Sequence, residues 1–458
     1  MERRDRALIL LLRMLLAGIL LALLGAAIGL VAGYCSCTAH AAAAPATTDE
    51  LASNLARRTP LDARYIAPDP YGTLRATDRL NIALKDSMES LQALAEALGS
   101  KFTGEGYGIG HRDAETGRLQ FLFPGGDCEA MKQRIREALP EFRLLIWDES
   151  IFGWAETAAA PAPAVGSLPW HLRALHAPEA WTITRGDPEL IVAVLDDGFD
   201  TTHAALRGRY VRPYNVRTGL HAVSAGADNW HGTHVAGLVA GEGTGIAPDC
   251  KVLPIQLAMP GEQPTVTDVI DGVLYAMKNG ARVINMSLAR VINPAAVTEP
   301  PDSTASPYSD EELFWNELFA TLDERGITMV MAAGNQGIPV GLDPMQRHPH
   351  TIKVSAVDSL GRLAAFSNYG PSTVPAPGVQ VLSCMAGGGW TRADGTSMAA
   401  PLVAGIVALV RDAHPGIVNA ELVRLFLGSG NENGRPAPMP YPAALIRSRT
   451  VVFTTPTS

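Results

Sequence analysis

From Leu190 onward the chain alternates between short apolar runs and longer amphipathic stretches. Ile191–Leu195, Val252–Leu257, Val283–Met286, Thr328–Ala332 and Thr351–Val357 are the apolar runs. A strand with one wet face alternates polar and apolar residues. Near-continuous apolar strands separated by helices instead predict a parallel sheet covered on both faces, an α/β doubly wound architecture. In such folds ligands bind beyond the carboxyl ends of the strands. Asp196, Ser287 and Asn335 all fall at such ends.

The pattern before residue 155 is different. Thr77-Asp78 is suited to cap a helix in which Leu84, Met88, Leu91, Ala95 and Leu98 form a stripe that Gly99 ends. Two β-like runs follow, Gly106–His111 and Arg118–Phe123, joined by the turn 113–117. Asp127 is suited to cap a second helix with Met131, Ile135 and Leu139 inward and Pro140 after it, and Phe142–Trp147 reads as a last strand. With a short first strand at Leu74–Ala76, the order is βαββαβ, a small ferredoxin-like α+β domain. The chain is thus expected to divide into a targeting segment (1–41), a polar spacer (42–70), the α+β domain (71–155), an Ala/Pro linker (156–166), a large α/β domain (167–447) and a tail (448–458).

Composition narrows the function. Among 458 residues, 18% are charged, Gly and Pro are plentiful, and the net charge is −9. This describes a loop-rich globular chain, and the acidic balance argues against a nucleic-acid partner. Arg3, Arg4 and Arg6 precede an apolar segment, and Met14–Gly33 carries no charge. A signal-peptide core spans about 7–15 residues and a bilayer crossing needs about 20. Length therefore favours a membrane anchor through residues 14–33 with the basic end inside. Ala39-His-Ala41 nevertheless has the form of a cleavage site, and both readings export the rest of the chain, as an envelope-anchored or a secreted protein. Beyond this segment only Cys128, Cys250 and Cys384 remain, too few for a disulfide framework. A Cys250–Cys384 pair and two buried thiols are both compatible with the sequence.

Three segments carry the chemistry. Val192–Asp196 is a buried strand ending in a carboxylate, followed by Asp197-Gly198. His231-Gly-Thr-His234-Val-Ala-Gly237 places a histidine at a helix start. Gly395-Thr-Ser397-Met-Ala-Ala400-Pro401 places a serine at another, with small residues around it and the apolar run Leu402–Val410 to anchor the helix. Asp, His and Ser in that chain order, with Ala332-Ala-Gly334-Asn335 between His and Ser, resemble the subtilisin-like serine proteases, or subtilases. The resemblance runs from about Ser167 to the mid-440s and includes Pro169-Trp170 and Ala177–Trp181.

The resemblance implies a serine endopeptidase acting on polypeptides without a cofactor. Ser397 would be the nucleophile, His231 its base, and Asp196 the group that holds the histidine tautomer. Asn335 and the Ser397 N–H would stabilise the oxyanion. Ser287, Leu288 and Ala289 would pair with extended substrate by strand addition, with Gly334 opposite. Of the two carboxylates only one is expected to face His231, since neighbouring strand residues point apart; by motif position it is Asp196. The His231–His234 spacing suits a metal, yet no nearby carboxylate or cysteine completes a zinc site, so His234 is expected to form structural hydrogen bonds and no metal is expected. The α+β domain resembles the subtilase propeptide in order and position. In that family the propeptide covers the sheet surface of the enzyme and its tail occupies the cleft, so this chain's own N-terminal domain is an expected intramolecular inhibitor, removed near residues 155–165.

Three departures from the family pattern stand out. Gly-Gly is usual after Ser-Leu, whereas this chain has Ala289-Arg290, which should narrow the cleft. Residues 242–245 are short where calcium-binding subtilisins have a longer loop, and an aspartate ligand of that site falls at Ala205. An insertion rich in Pro, Ser, Thr and acid spans about 291–310 beside the substrate edge. The alternative function is accordingly a latent, protease-fold binding protein, gated by its N-terminal domain or by this insertion.

Overall fold

The computed structural model describes residues 60–85, 90–154, 158–162, 167–296, 308–428 and 439–448. The expected membrane segment, most of the spacer, the core of the 291–310 insertion and the tail from residue 449 lie outside the described residues.

The N-terminal domain contains β1 (Ile66–Pro68), β2 (Leu74–Leu84), α1 (Leu91–Lys101), β3 (Gly108–Asp113), β4 (Arg118–Leu122), α2 (Cys128–Ala138) and β5 (Leu144–Ser150). Its sheet is antiparallel, with β5 on one side of β2 and β4 then β3 on the other, while β1 pairs with the start of β2. This is the expected α+β order, with three corrections. Thr77-Asp78 caps no helix, because 74–84 is one long strand. The helix begins instead at Leu91, capped by the Ser90 hydroxyl on the Ala93 N–H, and runs through Gly99 to Lys101. The domain also starts earlier than residue 71, since β1 belongs to its sheet. Asp127 caps α2 as expected, accepting the N–H groups of Glu129 and Ala130.

Two strands then cross to the larger domain. β6 (Phe152–Trp154) pairs antiparallel with a short strand of that domain at 288–290, and β7 (Ala158–Ala162), expected to be plain linker, pairs antiparallel with residues 389–394.

The larger domain comprises α3 (Trp170–Ala174), α4 (Ala177–Trp181), β8 (Ile191–Asp196), β9 (Tyr214–Asn215), α5 (His231–Ala240), β10 (Lys251–Gln256), α6 (Val266–Lys278), β11 (Ala281–Met286), β12 (Leu288–Arg290), α7 (Ser309–Glu324), β13 (Thr328–Ala332), β14 (Thr351–Val357), β15 (Thr373–Pro377), β16 (Val381–Met385), β17 (Gly389–Asp394), α8 (Thr396–Ala413), α9 (Asn419–Leu427) and α10 (Pro442–Arg447). Seven parallel strands run in the order β15-β14-β13-β11-β8-β10-β9. The order reverses around β8, which lies between β10 and β11, and this is the switch point where α/β sheets form their binding crevice.

The apolar strand runs are explained by burial on both faces. Val192 and Val194 of β8 pack with α5 and α8, whereas Ile191, Ala193 and Leu195 pack with α6 and α7. The N-terminal domain completes the second core with Ala83, Leu145, Trp147 and Phe152. Its sheet therefore rests on helices α6 and α7, not on the larger domain's own sheet as the resemblance implied. Trp147 lies against Phe314 of α7 with ring centroids 4.7 Å apart. Arg118, fully buried, donates to Asn81 Oδ1 (2.9 Å) and Thr267 Oγ1 (3.0 Å) and pairs with Asp271 (3.2 Å). Cys128, Cys250 and Cys384 are buried free thiols, so the 250–384 pairing is not formed.

Candidate active site

Asp196 is the last residue of β8 and is wholly buried. Its Oδ1 lies 2.6 Å from His231 Nδ1. A carboxylate oxygen only accepts, so Nδ1 carries the proton and Nε2 is left as the basic nitrogen. His231 opens α5, and the residue before it, Trp230, caps nothing with its side chain. Asp197 supplies the missing cap from across the strand end. Its Oδ2 accepts the His231 N–H (3.1 Å) and its Oδ1 the Gly232 N–H (2.8 Å). The expectation that one carboxylate faces the imidazole holds for the ring, but the second carboxylate grips the backbone beneath it. Burial, then repulsion from Asp196, push the Asp197 carboxyl far above the usual range, opposed by His231 and the two N–H groups. Gly232 is obligatory here, because a Cβ would sit 2.4 Å from the Gly198 carbonyl oxygen and 2.9 Å from Asp196 Cβ.

Ser397 is the second residue of α8. Its hydroxyl donates to the Ser287 carbonyl (2.8 Å), and the Ser287 hydroxyl donates back to the Ser397 carbonyl (2.9 Å). Sequence explains why that carbonyl is available. Its helical partner would be the N–H of residue 401, and residue 401 is proline. Asn335 lies beyond the end of β13. Its Oδ1 accepts the Thr396 N–H (3.0 Å) and hydroxyl (2.8 Å), which fixes the amide, while its Nδ2 is buried without a hydrogen-bond partner among the described residues. Gly334 donates its N–H to Thr396 Oγ1 (3.1 Å) and adopts φ +103°, where a Cβ would also strike Asn368.

His234 is buried, with Nε2 near the carbonyls of Val381 (3.2 Å) and Thr391 (3.3 Å). Burial lowers its pKa to about 3, so it stays neutral and structural. Asp196, Asp197 and His231 lie close enough together to suggest an ion site. Both Asp197 oxygens, however, already hold backbone N–H groups and Asp196 Oδ1 holds the imidazole, while Asp196 Oδ2 is buried without a hydrogen-bond partner among the described residues.

Leu288 and Ala289 form the expected edge, and β6 lies along it, with Leu288 opposite Trp154, Ala289 opposite Gly153 and Arg290 opposite Phe152. The Trp154 ring lies 6.1 Å from the His231 ring. Arg290 does not point a free cation into the cleft. Its guanidinium is buried, pairs with Glu311 (2.5 Å), donates to Ser150 Oγ (2.5 Å) and stacks over Tyr308 (4.6 Å). Burial raises Glu311 to about 7, with Arg290 opposing.

A model of the Subtilase family matches residues 187–438, more than half of the 458-residue chain. The chain belongs to the subtilase family. This subtilase is 35% identical over 251 residues to the thermophilic serine proteinase of Bacillus sp. (strain AK1), covering 53% of this chain and 57% of that protein. It is 30% identical over 270 residues to subtilisin NAT of Bacillus subtilis subsp. natto, covering 56% of this chain and 64% of that protein. The chain thus spans about six-tenths of the length of these relatives. Among solved structures it is similar to fervidolysin from Fervidobacterium pennivorans, a keratinolytic enzyme related to subtilisin, with a TM-score of 0.61 and 22% identity over 82% of this chain and 62% of that one; this likeness concerns the fold alone.

Of the residues singled out from sequence, Asp196, His231, Ser397, Ser287, Asn335 and Gly334 converge at the carboxyl end of the subtilase sheet. Leu288 and Ala289 line its edge. Asp197 has a role its motif does not reveal, holding the first turn of α5. The available signal was a helix starting at His231 with Trp230 before it, which needs a cap from elsewhere.

Proposed function

We propose that this subtilase is a serine endopeptidase that acts through an acyl-enzyme. The observation that carries the reading is the 2.6 Å contact between Asp196 and His231 at the end of β8, with Ser397 at the start of α8 bonded to Ser287 beyond the end of the neighbouring strand β11. His231 Nε2 takes the Ser397 proton as the hydroxyl attacks the peptide carbonyl. Asp196 holds the imidazole in the required tautomer and stabilises its cation. The oxyanion forms between the Ser397 N–H at the positive end of α8 and the Asn335 amide, whose Nδ2 has no other partner among the described residues. His231 then protonates the leaving amine, and water hydrolyses the ester by the same route.

The N-terminal domain acts as intramolecular inhibitor and is cut from the enzyme between Trp154 and Ala158. Support comes from β6, which occupies the edge a substrate strand would take, and from Trp154 beside His231. The protein works outside the cytoplasm, delivered by its N-terminal apolar segment. Wild type and Ser397→Ala are compared by fluorophosphonate labelling, intact mass and N-terminal sequencing. Labelling of wild type only, with a new N-terminus within residues 155–158, is expected. A labelled or self-cut Ser397→Ala chain would sink the assignment.

A second reading, a latent binding protein, draws on the same filled cleft. The described flanks of the insertion hold the N-terminal domain: the Asn293 N–H donates to the Tyr71 carbonyl (3.0 Å) and the Tyr308 hydroxyl to Asp69. Deleting residues 297–307 tests it. Cleavage that appears only after the deletion marks a gated enzyme, and continued silence marks a binder.

A further inference from the structure

We infer that the site cleaves after small residues, because Gln346 closes the space that the side chain preceding the cut must enter. The inference rests on the peptidase reading above. The register of β6 on β12 defines how an extended peptide lies in the groove, with Trp154 opposite Leu288. One step further along this edge is Ser287, whose carbonyl receives the Ser397 hydroxyl. The substrate residue opposite Ser287 therefore presents its carbonyl to the nucleophile. Its side chain must pass between two walls, 287–289 and 332–334. These continue from neighbouring parallel strands, β11 and β13, paired Met286 with Met331.

The far end of that gap is closed by the turn 343–346. At one side Asp343 Oδ2 accepts the Arg290 N–H (3.3 Å), tying the turn to the first wall. At the other, Gln346 Nε2 donates to the carbonyls of Ala332 and Ala333, both at 3.2 Å, tying it to the second. Gln346 is 6% exposed. Its amide thus lies against the second wall at the depth where a long substrate side chain would end. A large apolar residue would have to displace it and strip two carbonyls of their donor. Asp343 does not make the pocket a receptor for lysine or arginine, since Oδ1 accepts the Met345 N–H (3.1 Å) and faces Arg290 Nε at 3.7 Å. Both of its oxygens are already engaged, Oδ1 by the Met345 N–H and Oδ2 by the Arg290 N–H. Alanine, glycine and serine are the residues that fit. The residue after Trp154 in the sequence is itself an alanine.

The test uses the self-processed chain and tetrapeptide p-nitroanilides that differ only in the last residue, Ala, Phe or Arg. Wild type is expected to favour Ala over Phe in kcat/KM by at least about 10-fold, the scale on which a few methylenes decide selectivity in a closed pocket. Gln346→Gly should raise kcat/KM for Phe by about 10-fold or more and leave Ala within a few-fold. Gln346→Ala should fall between them. Fluorophosphonate labelling of each variant reports that the Ser397 site is folded. A labelled wild type that cleaves the Phe or Arg peptide as fast as the Ala peptide overturns the pocket assignment and leaves the peptidase reading standing. A labelled Gln346→Gly enzyme with an unchanged Phe-to-Ala ratio also overturns it. A wild type that is not labelled removes the peptidase reading, and this inference falls with it.

Discussion

Asp197 offers the sharpest test of how the site is held together. Replacing it with alanine leaves the His231 and Gly232 N–H groups buried with no acceptor in the first turn of α5. An orphaned buried donor costs about 1–3 kcal/mol, and loss of a helix cap typically about 1. Two donors at once should therefore lower stability by about 2–4 kcal/mol. Asp197→Asn keeps one acceptor oxygen and removes the repulsion with Asp196, so it should cost no more than about half as much. The pH dependence separates the two effects. The carboxyl is raised in the folded state above its unfolded value of about 3.9. Folded protein then binds more protons than unfolded protein across that interval, so stability declines as pH rises. The contribution is complete below about pH 4 and is lost as pH climbs through the raised folded value. The asparagine variant lacks this slope. The assay is denaturant unfolding from pH 4 to 9 in the Ser397→Ala background, which prevents autolysis. An alanine variant within about 0.5 kcal/mol of its parent would refute the capping role, and an asparagine variant with an unchanged pH slope would refute the raised Asp197 carboxyl.

Other substitutions test neighbouring parts of the same structure. Asn335→Ala should lower kcat by about 10²–10³ with little change in KM, the loss known for this type of donor in subtilisin; steady-state kinetics on the processed chain would show it. Arg118→Ala should destabilise the full Ser397→Ala chain by about 3–5 kcal/mol, because it breaks a buried pair with Asp271 and strips Asn81 and Thr267 of a donor. Gly405→Ala should destabilise despite better helix propensity, since the new Cβ would meet Ile246 Cγ2 at 2.1 Å; a rise in melting temperature would contradict the close packing of α8.

The large domain was legible because its strands are buried on both faces, and length, apolarity and flanking helices distinguish such strands in sequence. β8, β13 and β14 lie within a residue of expectation. β15 was not, since Pro375 and Pro377 break the apolar run, and an edge strand tolerates them. The N-terminal domain misled for the opposite reason. β2 turns Leu80 and Ile82 to its own core but Asn81 and Ala83 to the larger domain, so its second half is buried throughout and shows no alternation. Leu84 then joined by chance the stripe of α1. β7 is an alanine and proline run with weak strand propensity, paired because β17 offers an open edge. The motifs of the candidate site were visible because each is local. The grip of Asp197 and the clamp at Gln346 were not, since both link residues distant along the chain.

One segment of backbone is hydrogen-bonded to β12 on one side of Ser397 and to β17 on the other. A cut between these strands would be a unimolecular event, with a half-life independent of how dilute the protein is. It would also leave both fresh ends still zipped to their edges. Scission and vacating the groove are thus two clocks, and a shortened band on a gel should precede the first turnover of any outside peptide.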